Sequence, residues 1–170
     1  MKEIEVKFRV KDFSRIHSKL RSLGAHLIWK GMEDNIFFDT KDRQLYKKGI
    51  LFRLRRWNNH SVVLTVKTTP VNKSKKFKIK KEYEIEVGDF EMTQKLIETL
   101  GFLKDFQYRK FREHWRLSDT FIELDTVGRM YFVEIEGAQK AIYRAARAFD
   151  LNWKHAERRG YVTLLKGLRR

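Results

Sequence analysis

The sequence predicts an α+β fold: eight antiparallel strands closing into a β-barrel with a charged lumen, flanked by helices. Three observations predict it. Strict charged–apolar alternation recurs along the chain. The charged positions repeatedly carry Glu-x-Glu, Arg-x-Arg or Lys-x-Arg where neutral polar residues would serve a wet surface. Helical periodicity is confined to three short segments.

The first strand is Glu3-Ile4-Glu5-Val6-Lys7-Phe8-Arg9-Val10, charged at every odd position and apolar at every even one. Asp12 then reads as a helix N-cap, with Phe13, Ile16, Leu20 and Leu23 at helical spacing and Gly24 as the stop. Phe52-Arg53-Leu54-Arg55 and Leu64-Thr65-Val66-Lys67 alternate again. Lys67 to Lys81 is lysine-rich, and its middle, Thr68 to Lys76, reads as a flexible basic loop around the only proline, Pro70. Beyond it, Lys80, Glu82, Glu84 and Glu86 share a face opposite Lys81, Tyr83, Ile85 and Val87. A second helix runs from Asp89 through Phe90, Ile97 and Leu100 to Gly101. Its landmarks sit at one common offset from those of the first helix, which suggests two duplicated halves. Lys110 and Arg112 flank Phe111, Glu123 and Asp125 alternate with Ile122 and Leu124, and Glu134 and Glu136 flank Ile135. A third helix is expected from Ala138 to about Leu151, with Ile142, Ala145, Ala146 and Phe149 on one side. The tail, Arg158 to Leu168, reads as short and basic.

With 170 residues, 42% of them hydrophobic and 14% aromatic, the chain can bury a core, which excludes a disordered tail. No linker marks a boundary, so residues 1–170 read as a single domain. No apolar run is long enough to span a bilayer and there is no secretory h-region, so no membrane partner is expected. The absence of cysteine excludes disulfides and thiolate metal sites, and the protein reads as cytoplasmic. The net charge of +16, from 38 Lys and Arg against 22 Asp and Glu, points to anionic partners.

A single charged strand face is ordinary on a half-solvated sheet. The set taken together is not. Like charges packed side by side cost free energy unless an opposite charge lies between them. A divalent metal between carboxylates, or a phosphate between bases, would offset that cost. The charged faces are therefore expected to point inward, into a water-filled interior.

This ordered set resembles the CYTH superfamily, the triphosphate tunnel metalloenzymes. The most specific element is the amino-terminal Glu-x-Glu-x-Lys signature, here Glu3, Glu5 and Lys7. It is followed in family order by Phe37-Phe38-Asp39-Thr40, Arg53-x-Arg55, Thr65-x-Lys67, Lys80-x-Glu82-x-Glu84, Lys110-x-Arg112, Asp125 and Glu134-x-Glu136. Arg158-Arg159-Gly160-Tyr161 is similar to the family's Arg-Ser-Tyr element, with glycine in place of serine. Gly128-Arg129-Met130-Tyr131-Phe132 lacks the second glycine of the usual Gly-x-Gly-x-Phe.

The resemblance implies an eight-stranded tunnel and an enzyme acting on triphosphates: inorganic tripolyphosphate, a nucleoside triphosphate or thiamine triphosphate. Hydrolysis is the leading expectation. The alternative is a class IV adenylyl cyclase making cyclic AMP and pyrophosphate, and the third is a polyanion- or RNA-binding module without chemistry. Arg53, Arg55, Lys67, Lys80, Lys110, Arg112 and Arg159 are the expected triphosphate ligands. Glu3, Glu5, Asp125, Glu134 and Glu136 are the expected ligands of Mg²⁺ or Mn²⁺, with Glu82, Glu84 and Tyr161 in support. Lys7 either positions or deprotonates the nucleophile together with Glu5, or balances the charge of Glu3 and Glu5. A homodimer is compatible with the resemblance. His17, His26, His60, His114 and His155 show no metal-ligand spacing, so none is expected to be catalytic. Trp57, on the parity of Arg53, is a candidate cap for the tunnel or a surface for a nucleobase.

Overall fold

The computed structural model describes residues 2–57, 61–69 and 76–168. Pro70, Lys73, Lys75 and most of the expected basic loop lie outside the described residues, as does His60. In chain order the elements are β1 (Lys2–Val10), α1 (Ser14–Ser22), β2 (His26–Asp39), α2 (Gln44–Lys47), β3 (Ile50–Trp57), β4 (Ser61–Thr68) and β5 (Lys78–Val87). There follow α3 (Phe90–Thr99), β6 (Leu103–Leu117), β7 (Thr120–Val127), β8 (Met130–Gly137) and α4 (Gln139–Ala148). A 3₁₀ turn (Trp153–His155), β9 (Ala156–Glu157) and α5 (Tyr161–Leu168) complete the chain.

The strand order is β5-β4-β3-β2-β6-β7-β8-β1, and β5 also pairs with β1. The ladder thus closes on itself, the hydrogen-bond topology of the predicted eight-stranded antiparallel β-barrel. β9 adds two residues against Lys7 and Phe8.

Two compact units, each with its own core, emerge among the described residues. In the unit formed by 32–69 and 80–109, even-numbered residues of β2, β3 and β4 (Ile36, Phe38, Leu54, Val62) pack with Phe90 and Ile97 of α3. In the unit formed by 3–31, 76–79 and 110–168, Val6, Phe8, Ile122, Leu124, Val133 and Ile135 pack against the apolar stripes of α1 and α4. Those stripes are Ile16 and Leu20 on α1, and Ile142, Ala145 and Ala146 on α4.

The orientation of the charged faces follows from burial on both sides of single strands. On β1, Val6 and Phe8 are in the core, yet Glu3, Glu5 and Lys7 on the opposite face are buried too. Arg53, Arg55, Lys67, Lys110, Arg112, Asp125 and Glu134 are likewise buried. A solvated face would leave such side chains exposed. These face inward, as the alternation predicts.

Some local expectations need correction. Helix α1 starts one residue later than an Asp12 cap requires: Phe13 is the N-cap, and Asp12 Oδ1 instead accepts the Ser14 N–H at 2.8 Å. Asp89 does cap α3, accepting from Met92 N at 2.6 Å. The expected helical cover fails on β5, where Tyr83 and Ile85 are 53% and 63% exposed. Helix α3 follows β5 directly but packs chiefly on β2, β3 and β4; Val87 at the end of β5 joins that core, and Tyr83 and Ile85 are left exposed. The basic tail holds a helix, α5, with Tyr161 buried at its start. Phe37-Phe38-Asp39 ends a 14-residue strand, and Asp39 accepts the backbone N–H groups of Thr40, Leu45 and Tyr46, which fixes the turn into α2.

Candidate active site

In the unit formed by 32–69 and 80–109, the register aligns Arg53 with Thr65 and Thr65 with Glu84, making one rung across β3, β4 and β5. Glu84 Oε1 accepts from Arg55 Nη2 at 2.9 Å and from Thr65 Oγ1 at 2.7 Å. Burial would raise the pKa of Glu84, but Arg55, Thr65 and Arg53 outweigh it and hold the carboxyl below its ordinary value. Lys67 pairs with Glu82 at 2.9 Å. Lys80 donates to Thr69 Oγ1 at 2.5 Å, so it stands at the margin of this cluster.

Arg53 is different. It is only 8% exposed, and its Nε and Nη2 are buried without a hydrogen-bond partner. Its nearest carboxylate, Glu84, is 3.7 Å away, beyond hydrogen-bond range. A buried, unsatisfied guanidinium is costly unless an acceptor arrives.

Glu33 was not among the expected site residues. It is fully buried and accepts from Trp57 Nε1 at 2.8 Å and from Asn35 Nδ2 at 2.9 Å. The Arg55 guanidinium lies 4.3 Å over the Trp57 ring. Trp57 is therefore tied into the arginine face.

In the unit formed by 3–31, 76–79 and 110–168, Asp125 is fully buried and accepts four hydrogen bonds. Arg112 Nε reaches Oδ1 at 2.6 Å, while Arg112 Nη2, Lys110 Nζ and the Tyr161 hydroxyl reach Oδ2 at 2.5, 3.0 and 2.7 Å. Arg112 also bonds Glu123 at 2.5 Å and Glu134 at 2.7 Å. Lys7 pairs with the other oxygen of Glu134 at 2.7 Å, and Lys78 donates to Glu5 at 2.5 Å. Glu136 stands opposite Glu5 in the β1–β8 ladder. Lys7 and Lys110 lie 4.0 and 4.9 Å over the Tyr161 ring.

These contacts set the local charge states. Burial would raise the Glu134 pKa, but Lys7, Arg112, Lys110 and Lys78 hold it well below the usual range. Burial would lower the Lys78 pKa, but Glu5, Glu134 and Glu3 raise it further than burial lowers it. The Tyr161 phenol is pushed well above 10 by burial and by Asp125 and Glu134.

Glu123, Asp125 and Glu134 each present an oxygen, all within 4.8 Å of one another. An all-carboxylate oxygen set fits a hard cation such as Mg²⁺ or Mn²⁺. Glu123 was seen in the alternation but not assigned to the site, and Lys78 was missed although it shares the parity of Lys80. The Arg159 side chain is not brought to this cluster. It is exposed and chelates Glu157, with Nη2 at 2.6 Å and Nε at 2.9 Å. Only its carbonyl approaches, 3.5 Å from Lys7 Nζ.

A closed antiparallel ladder with inward acids and bases defines a class of proteins with a charged interior, and comparison with known proteins identifies the family. The CYTH domain profile matches residues 1–163. The chain belongs to the CYTH domain family. It is 28% identical over 137 residues, 80% of this chain and 77% of the other, to a Methanocaldococcus jannaschii protein provisionally named an adenylate cyclase. The crystal structure of a Vibrio parahaemolyticus protein, also provisionally named an adenylate cyclase, superposes with a TM-score of 0.85 at 20% identity, covering 96% and 97% of the two chains. A Hippeastrum protein described as a provisional adenylyl cyclase with dominant triphosphatase activity gives a TM-score of 0.74 at 19% identity, covering 97% and 95%. The last two likenesses establish the fold. No helix among the described residues is long and apolar enough to cross a membrane.

Proposed function

We propose that this chain is a divalent-metal-dependent triphosphatase. The observation that carries this reading is the buried Arg53 guanidinium, whose Nε and Nη2 lack acceptors. A phosphoryl oxygen supplies what Arg53 lacks, and arginine binds phosphate in a bidentate fork. Arg55, Lys67, Lys80, Lys110 and Arg112 are the further phosphate ligands of this reading. Arg159 joins them only by releasing Glu157.

Glu123, Asp125 and Glu134 hold the cation, with Glu3, Glu5 and Glu136 as the remaining carboxylates of that role. Bound Mg²⁺ or Mn²⁺ supplies Lewis-acid polarisation of phosphate oxygens and a more acidic water. The chain's own groups do the rest. The arginines and lysines stabilise charge on the departing diphosphate. Lys7, paired with Glu134 and lying over Tyr161, orients what approaches Glu134. Tyr161 stays neutral and keeps Asp125 oriented.

The second reading, adenylyl cyclase, is favoured by the name of the Methanocaldococcus jannaschii relative. There the ribose 3′-oxygen attacks the α-phosphorus and pyrophosphate leaves. The test is to incubate the protein with ATP and, separately, tripolyphosphate, with Mg²⁺, Mn²⁺ or EDTA, and to identify every product chromatographically. Orthophosphate, lost with EDTA, is the expected result. Cyclic AMP with pyrophosphate would establish the cyclase. Salt-sensitive nucleic-acid binding without any metal-dependent product would favour the non-catalytic module.

A further inference from the structure

We infer that Arg112 is an internal stand-in for the divalent cation: its guanidinium occupies the space that Glu123, Asp125 and Glu134 offer a metal, and it must withdraw for metal to bind. This inference rests on the metal-dependent reading above. Arg112 contacts all three carboxylates, Glu123 through Nη1 at 2.5 Å, Asp125 through Nε at 2.6 Å and Nη2 at 2.5 Å, and Glu134 through Nη2 at 2.7 Å. These are the three residues whose oxygens converge within 4.8 Å. A hard cation needs those oxygens at coordination distance, and a guanidinium bonded to all of them fills the same volume.

Charge leads to the same conclusion. Lys7 pairs with Glu134 and Lys110 with Asp125, so Arg112 is the third cation held against these carboxylates. A divalent ion entering beside it would meet the buried guanidinium at contact distance, a like-charge clash in a site poor in water. Withdrawal of Arg112 removes that clash and presents a guanidinium to the phosphate oxygens of the triphosphate, which supply the negative charge. Metal alone therefore binds weakly, and metal and triphosphate favour each other's binding. A purely orienting role for Arg112 makes the opposite forecast, because its removal would then disorder the carboxylates.

The experiment is Mn²⁺ binding without substrate, by calorimetry, to wild type and Arg112→Met. The inference predicts that Arg112→Met binds Mn²⁺ about tenfold more tightly, because a buried like charge has been removed. Equal or weaker binding by Arg112→Met, with wild type still binding Mn²⁺, overturns the inference and leaves the metal-dependent reading standing. Failure of both proteins to bind Mn²⁺ overturns that reading and the inference with it. Should Arg112→Met not fold, Mg²⁺ is titrated into ¹⁵N-labelled wild type and the Arg112 Nε–H signal is followed, assigned by its loss in Arg112→Lys. Loss of its exchange protection as the site fills is expected, and an unmoved, protected signal at saturating Mg²⁺ overturns the inference.

Discussion

The two charged clusters use the same residue types and reach opposite states. Around Asp125 every carboxylate is engaged by a cation, and one carboxylate alone takes four donors. Around Arg53 the shortage runs the other way, with guanidinium nitrogens buried and no acceptor to meet them. The first cluster holds itself together without a ligand. The second carries a standing desolvation cost that an incoming phosphate removes. Burying charge is thus two different designs: a hydrogen-bonded network that specifies geometry, and a group with two unsatisfied donors kept ready for an acceptor.

The difference can be broken most forcefully at Asp125. Asp125→Asn leaves Arg112 and Lys110 buried beside a neutral amide, so unfolding free energy should drop by about 3–5 kcal/mol in urea titrations, with turnover lost as well. A drop below 1 kcal/mol, taken as the order of an ordinary hydrogen bond, would show that the network is not structural.

Arg53→Met should behave in the reverse manner. Removal of a poorly satisfied buried cation should leave urea stability unchanged or raised, while kcat/KM for a triphosphate falls about 100-fold. Unchanged turnover would remove Arg53 from the phosphate site.

A smaller effect is expected at Asp39, whose partners are backbone groups. Burial would raise its pKa, but the N–H groups of Tyr46, Leu45 and Thr40, together with Arg43, hold it below 3.8. The sign follows: its contribution is present above pH 3.8 and is lost as pH falls through the lower folded value. Asp39→Asn should cost about 1–2 kcal/mol at neutral pH, and its difference from wild type should shrink in acid. A difference independent of pH would assign the effect to side-chain shape instead.

The smallest effect belongs to Tyr161→Phe. Asp125 keeps its bonds to Arg112 and Lys110, so the loss should be about 1 kcal/mol or less by thermal melts. A larger loss would mean that α5 is held chiefly by that hydroxyl.

Much of this was legible in the sequence because period-2 alternation fixes which residues share a strand face. Glu5, Lys7, Arg53, Arg112 and Glu134 could be assigned inward from parity and like-charge pairing alone. Glu33 was not, because its strand does not alternate: Glu33, Asp34 and Asn35 run together and Ile36, Phe37 and Phe38 follow. Nor could parity show who pairs with whom. That Arg53 lacks acceptors while Arg112 has three carboxylates depends on cross-strand register, set by turns the pattern does not encode. The exposure of Tyr83 and Ile85 on β5 was missed for a related reason: apolar alternation predicts a face suited to burial, not the helix that covers it. The position of the Arg159 side chain was decided locally by Glu157, two residues away, which no long-range pattern reports.

The most direct test of the contrast is a calorimetric comparison of Mn²⁺ binding and metal-free tripolyphosphate binding in Glu134→Gln and Arg53→Met. Glu134→Gln should lose Mn²⁺ binding while keeping tripolyphosphate, and Arg53→Met should keep Mn²⁺ while losing tripolyphosphate. Parallel loss of both ligands in both variants, or loss of neither, would contradict the assignment of metal to the carboxylates around Asp125 and of a principal phosphate contact to Arg53.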